Sequence, residues 1–347
     1  MTEQNMEQIK KIRASELKEI RKILIIQYKP FGDILLNTGY LPALRKKFPQ
    51  AQIDYLIQKP YVTLLEDNPY LDNLLIMQKK KEGSLAYFKE RLRIIHLVRK
   101  TKYDLVIDQL RSTGSAQITL FSGAPYKLGW RLKRWNWVYN YPVNRDNLRY
   151  YSRLKFDVLQ PLGIQEEAHN IYYKIKKESY AYIDHWLQAQ NLRGEKLVVI
   201  SPGTPVKRKQ WSLEHYARVG DMILTQQGFK LIFLWGPGEE KDVVPIVARM
   251  KRKPLVAPPT TFNQAGALLK RAAIYIGNDG GINHLAVAME TPSITIFGPF
   301  TNPKKWTAWH KDIHLYLRDE NFKDKNDPGF NISPEQVFQK FKDFFKL

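Results

Sequence analysis

The sequence predicts an α/β protein built from two doubly wound halves, each a parallel sheet with helices between its strands. Unbroken apolar runs of strand length, such as ILIIQY at 23–28, KLVVIS at 196–201 and SITIFG at 293–298, alternate with helical patterns. Parallel strands buried on both faces read in this way. The length of 347 residues also suits two domains at roughly 100–200 residues each.

In the first half, the run at 23–28 is closed by Lys29-Pro30-Phe31-Gly32-Asp33, and a helical pattern through Ile34, Leu35, Leu36, Tyr40, Leu41 and Leu44 ends near Pro49. A short strand at 54–58, a lysine-rich helix near 86–100 and a third strand at 104–108 follow. Helical patterns at 150–162 and 178–190 lie on either side of the place, within 164–195, where the halves meet. The second half repeats the alternation: strand at 197–201, helix at 213–227, strand at 230–236, then strands at 272–277 and 293–298 flanking a short helix at 282–289. Ser333-Pro334-Glu335-Gln336 is a capping box with proline at the first helical position, and Val337, Phe338, Phe341, Phe344 and Phe345 continue it at helical spacing. Before the first strand, residues 1–21 are a polar extension with Ile9, Ile12 and Leu17 among lysines; it either frays or lies on a membrane.

Composition narrows the function. The chain has no cysteine, which removes a disulfide scaffold, a thiolate-ligated metal and a thiol nucleophile. No apolar run approaches the ~18 residues of a membrane span, and the first twenty residues lack the apolar core of a signal peptide, so a cytoplasmic protein is expected. Lys+Arg 55 against Asp+Glu 34 leaves a formal charge of +21, which suits an anionic membrane surface, phosphorylated ligands or nucleic acid. The charge concentrates between Lys79 and Lys102, and between Lys127 and Lys155, where only Asp146 opposes six or more cations among Trp130, Trp135, Trp137, Tyr139 and Tyr141. That second stretch is either a basic aromatic surface or a solvated face with an aromatic core behind it.

Several chemistries are unsupported. There is no G-x-G-x-x-G after the first strand, no G-x-x-x-x-G-K-[ST], no H-E-x-x-H and no G-x-S-x-G, and the seven histidines show no ligand spacing. Ligands of open parallel sheets bind beyond the C-terminal ends of the strands, and three loops there carry suitable residues. In Lys29-Pro30-Phe31-Gly32-Asp33 the Asp33 carboxylate either caps the following helix or faces the ligand. Pro202-Gly203-Thr204 with Lys207-Arg208-Lys209 sets small residues beside three cations, an anion cradle. Asp279-Gly280-Gly281 opens a helix whose free amides and dipole favour a diphosphate, and His284 in its first turn either touches that anion or stacks inside the fold. Together they suggest group transfer from a nucleotide-activated donor.

The segment from Lys29 to Leu44, with YDLVIDQLRSTG, ISPGTPVKRKQW, WGPGEE and GNDGGINHLAVAMETPSITIFGPFTNPKKW, resembles glycosyltransferase family 9, the ADP-heptose:lipopolysaccharide heptosyltransferases. The resemblance covers roughly residues 22–345. It implies a GT-B fold: two Rossmann-like domains facing across a cleft, the acceptor on residues 22–175, the nucleotide sugar on 176–330, and a final helix at 331–347 packing back on the first domain. It implies inverting, metal-independent transfer of heptose from ADP-heptose to the inner core of lipopolysaccharide, with no cofactor. Asp33 matches the general base. Lys209 matches the lysine on the donor phosphates, Asp279, Gly280, Gly281 and His284 the donor-binding turn, and Glu239, with Glu240 as the alternative, a carboxylate near the nucleoside. Thr204 adds a hydroxyl to the donor side, while Lys29, Gly32 and Arg111 fall on the acceptor side. The implied acceptor is a lipid A–Kdo type molecule at the inner face of the inner membrane, where a basic protein would sit peripherally. Two departures stand out: Pro30 and Gly280 replace small or hydroxylated residues of the family, so a hydroxyl contact to the donor is missing. A UDP- or GDP-linked donor on another glycan is the alternative. Nucleic acid is not an expected partner, because no nucleic-acid-binding module accompanies the charge.

Overall fold

The computed structural model describes residues 10–81, 83–131, 134–145, 149–166, 170–204, 206–299, 301–308, 310–319 and 330–347. The chain divides into two units, Met1–Tyr173 and Lys174–Leu347. The first holds β1 (Lys22–Ile26), β2 (Gln52–Gln58), β3 (Asn73–Met77), β4 (Leu105–Asp108), β5 (Tyr126–Trp130) and β6 (Tyr141–Val143). They are parallel throughout, in the order β3-β2-β1-β4-β5-β6. The second holds β7 (Lys196–Ser201), β8 (Phe229–Phe233), β9 (Leu255–Val256), β10 (Ile274–Asn278), β11 (Ser293–Phe297) and β12 (His314–Arg318). These too are parallel, in the order β12-β11-β10-β7-β8-β9. In both sheets the order reverses beside the first strand, between β1 and β4 and between β7 and β10. Loops leaving these strands open the crevice in which doubly wound sheets bind ligands.

Burial explains the arrangement. Leu24 and Ile26 of β1 and Val106 of β4 pack under Ile94 and Val98 of helix Leu85–Thr101 and Ile118 of helix Thr113–Phe121. In the second unit Val198, Ile200, Ile274, Ile276, Ile294 and Ile296 lie under Tyr216, Val219 and Ile223 of helix Leu213–Ile223. Five strands escape the apolar-run pattern: β3, β5, β6, β9 and β12. β3 and β12 are only partly buried, and β6 and β9 span three and two residues. The helical pattern at 150–162 resolves into one α-turn, Tyr151–Leu154, and a 3-10 helix, Lys155–Leu162, with Pro161 inside it. Gly39 lets this segment approach: a Cβ there would meet Ser152 Oγ at 2.5 Å, and that hydroxyl donates to the Leu36 carbonyl at 2.9 Å.

The structure bears on three expectations. Residues 10–21 do not fray: Ile12 and Ile20 are buried, the Ile12 amide donates to the Pro161 carbonyl at 2.9 Å, and the Arg21 and Lys22 amides both donate to Asp104. The basic aromatic stretch is mostly core, with Trp130, Tyr139 and Tyr141 buried and Trp137 exposed. The terminal helix, Pro334–Phe345, carries its capping box and packs into the core of the second unit. Phe341 and Phe345 meet Phe229, which opens β8, at ring-centroid distances of 5.1 and 4.9 Å. Just before the helix, the Ile332 carbonyl accepts from Trp211 Nε1 at 2.9 Å. This aromatic cluster within the second unit's core gives the helix its partner. Replacing the fully buried Phe341 by alanine should therefore cost about 3–5 kcal/mol, measured by denaturant unfolding; a loss under about 1 kcal/mol would mean that the helix is not part of this core.

Candidate active site

In the first unit the site gathers at the reversal between β1 and β4. Asp33 is the third residue of helix Phe31–Asn37, whose N-cap is Pro30. Its side chain is 14% exposed and lies 3.7 Å from Lys155 Nζ. Lys155 is fully buried, and its ammonium donates to Gln27 Oε1 at 3.0 Å and to the Gln109 carbonyl at 3.4 Å. Gln27 directly follows β1 and Gln109 directly follows β4, so one lysine ties together the ends of the two strands at the reversal. Gln109 returns a bond, Nε2 to the Lys155 carbonyl at 3.0 Å.

The Tyr151 ring is flanked by Lys155 Nζ at 4.8 Å and the Arg145 guanidinium at 4.7 Å. Burial, then the Asp33 charge, pushes the Tyr151 phenol up to about 12. Burial lowers the Lys155 ammonium to about 8, with Asp33 working against the shift and Arg145 adding to it. The ordinary value is 10.5; between the two the unfolded chain binds more protons, so this group makes stability rise with pH across that window. Arg111 follows β4 in the left-handed backbone region, φ 57°. Desolvation, then the charge of Arg145, presses its guanidinium below its ordinary value. Asp33, Tyr151, Lys155, Arg145 and Arg111 thus form one electrostatic group. Lys29 joins through its carbonyl, which accepts from Gln27 Nε2 at 2.5 Å. Gly32 sits in ordinary helical backbone.

In the second unit the site gathers between β7 and β10. Lys209, in a 3-10 turn at Lys207–Lys209, pairs with Asp279 at 2.5 Å. Asp279 is buried immediately before Gly280, the N-cap of helix Gly281–Ala288. Asn278 holds the two loops together: its Oδ1 accepts from the Trp211 amide and its Nδ2 donates to the Pro202 carbonyl, both at 2.9 Å. Thr204 Oγ1 accepts from the Val206 amide at 3.3 Å. Glu239, rather than the exposed Glu240, turns back over the loops, accepting from the Gly236 amide at 2.9 Å. It lies so close to Gly203 that a Cβ there would run into its carboxylate. His284 is buried, its ring centroid 5.9 Å from that of Trp306 and tilted 41° to it. Lys207 pairs with Asp242 at 3.0 Å. Lys209, the amides at Gly280 and Gly281, and the helix dipole are what this unit offers an anion. Among the described residues, no three His, Asp or Glu side chains gather as a metal site would need.

The sequence profile of Glycosyltransferase family 9 (heptosyltransferase) matches residues 91–328, well over half of the chain. The chain belongs to glycosyltransferase family 9. It is similar to lipopolysaccharide heptosyltransferase 3 of Escherichia coli, with 27% identity over 293 residues, 81% of this chain and 83% of that protein. Among solved structures, the crystal structure of a family 9 glycosyl transferase from Veillonella parvula superposes with a TM-score of 0.81 at 23% identity, covering 94% of this chain and 97% of that one. An Escherichia coli heptosyltransferase solved with ADP-2-deoxy-2-fluoro heptose gives 0.70 at 19% identity, covering 93% and 99%. These likenesses show a GT-B fold, and the family makes this chain a glycosyltransferase.

Lys155, Arg145, Tyr151 and Asn278 went unmarked in the sequence reading of this family 9 chain. Lys155 ended a basic run that resembled a solvated face, and only the fold brings it to Gln27 and Gln109, 128 and 46 residues away. Gly280 has extended backbone, φ −176°, and open space where a Cβ would stand. Gly280→Ser should therefore be stabilising by a few tenths of a kcal/mol as a better N-cap, whereas Gly203→Ala should dislodge Glu239 from the Gly236 amide at a cost of about 0.5–1.5 kcal/mol. Denaturant unfolding of both variants checks this; a destabilising serine would show that the turn at 280 is not open.

Proposed function

We propose that this glycosyltransferase moves a heptose from ADP-heptose, with inversion and without a metal, onto the inner core of a lipopolysaccharide acceptor. The observation that carries the reading is the Lys209–Asp279 pair at the start of helix Gly281–Ala288, which sets a cation and free amides together at the end of the second sheet. The relative solved with an ADP-heptose analogue and the lipopolysaccharide heptosyltransferase relatives support the donor and the acceptor.

The chemistry follows from the residues. Asp33 accepts the proton of the acceptor hydroxyl as that oxygen attacks the anomeric carbon from the face opposite the leaving group. The bond from the anomeric carbon to the β-phosphate oxygen breaks, and its electron pair leaves with ADP. Lys209, the Gly280 and Gly281 amides and the dipole of their helix neutralise the charge that develops there. Thr204 offers a hydroxyl to the donor, Glu239 a carboxylate to the nucleoside, and His284 supports the turn from within. On the acceptor side Lys29, the Gly32 backbone, Arg111 and Arg145, which lies against Tyr151, suit the carboxylates and phosphates of a lipid A–Kdo type acceptor. No helix among the described residues is long and apolar enough to cross a membrane, and the charge of +21 suits a cytoplasmic enzyme working peripherally at the anionic inner face of the inner membrane.

The test combines thermal unfolding with turnover. ADP should raise the melting temperature more than UDP or GDP, since a ligand of the folded state stabilises it, and Lys209→Ala should lose most of that rise. Asp33→Asn should keep it while turnover from ADP-heptose falls about 10²- to 10⁴-fold. A larger shift with UDP or GDP would contradict the donor; an Asp33→Asn enzyme as fast as its parent would contradict the base.

A further inference from the structure

Helix Leu85–Thr101 carries two apolar faces where a surface helix ordinarily has one. Ile94 and Val98 point into the first unit's core, and Glu90 on the same side is buried and ion-paired with Arg93 at 2.7 Å. On the opposite side, Leu85, Phe88 and Leu92 follow at spacings of three and four, with exposures of 68, 54 and 49%. Three large apolar side chains on one outward stripe are more than scattered surface leucines.

The surroundings of the stripe are basic. Residues 79–102 contain nine Lys and Arg against Glu82 and Glu90. Lys79, Lys80, Lys81, Lys89, Arg93, Arg99, Lys100 and Lys102 are all exposed. Lys89, between Phe88 and Leu92 in sequence, falls on the stripe's flank at helical spacing. The helix begins after β3 and Asp33 follows β1, and these strands run the same way, so the stripe starts toward the same, C-terminal end of the sheet as the candidate base. The neighbouring helix, Thr113–Phe121, is joined to this one by Arg91 Nη1 donating to Gln117 Oε1, and its Thr113 Oγ1 accepts from Trp135 Nε1 at 3.3 Å. The exposed Trp137 lies two residues further on.

We infer that the outward face of helix Leu85–Thr101, with its Leu85–Phe88–Leu92 stripe and flanking cations, docks on an anionic phospholipid bilayer. An in-plane amphipathic helix with leucine and phenylalanine inserted at headgroup level and lysines on its flanks binds such a surface by apolar burial together with charge attraction. The inference deepens the reading of the acceptor as membrane-borne, because it assigns the surface that brings the first unit to the bilayer.

The full-length protein should co-sediment with phosphatidylcholine vesicles containing phosphatidylglycerol and not with phosphatidylcholine alone, and added salt should weaken the binding. The double variant Phe88→Ser, Leu92→Ser should bind the anionic vesicles about tenfold or more weakly, with an unchanged melting temperature and unchanged transfer to a deacylated, soluble acceptor. Absence of vesicle binding by the parent, equal binding by the variant, or a parent dimer that the variant abolishes would overturn the inference; the last would assign the stripe to a second copy. Vesicle binding without transfer from ADP-heptose would leave this surface standing and remove the proposed donor, so the two readings fail separately.

Discussion

The first unit turns on a buried ammonium. Lys155 has no access to water, and an unpaired charge so placed would be strongly destabilising. Gln27, the Gln109 carbonyl, the Tyr151 ring and the Asp33 carboxylate together replace its hydration. These groups come from the end of β1, the end of β4, the α-turn at 151 and the helix after β1, so satisfying one lysine positions four segments. Gln27 also donates to the Lys29 carbonyl, which extends the constraint into the turn that delivers Asp33. The Asp33 carboxylate is thus held by the same contacts that join the ends of β1 and β4.

The second unit solves the equivalent problem with a neutral side chain. Asn278, at the end of β10, bonds the backbone of both Pro202 and Trp211, and so holds the loop after β7 where Lys209 reaches Asp279. In both units most of the candidate site residues come from loops on either side of the reversal in strand order, where the topology favours ligands. A cation and a carboxylate meet in each, but with opposite emphasis. Lys155 is sealed behind Asp33, leaving the carboxylate the more exposed partner; Lys209 is the more exposed partner of Asp279. One arrangement presents a carboxylate, the other a positive charge.

Much of this was legible in the sequence because it is local. β1, β2, β4, β7, β8, β10 and β11 read as apolar runs since both their faces are covered, and the loops after β1, β7 and β10 were visible as small or charged residues closing such runs. The other strands were not legible. β3 alternates between exposed and buried positions, β9 is two residues long, and β5 and β6 run through the basic aromatic stretch where charge masked the pattern. The same stretch hid Lys155 and Arg145, whose roles depend on contacts with residues far away in the chain. The terminal helix was legible as a helix, down to its capping box, but its partner was not: an apolar stripe announces burial without naming the surface, and Phe229 decides it.

The most direct measurement of the central interaction is an NMR titration of the Lys155 side-chain nitrogen in the parent and in Asp33→Asn. A midpoint near pH 8 in the parent, moving lower when the Asp33 charge is removed, is the result expected of a buried ammonium held against that carboxylate. A midpoint near the ordinary 10.5, unmoved by Asp33→Asn, would place Lys155 in water and away from the Asp33 carboxylate, and would contradict the account.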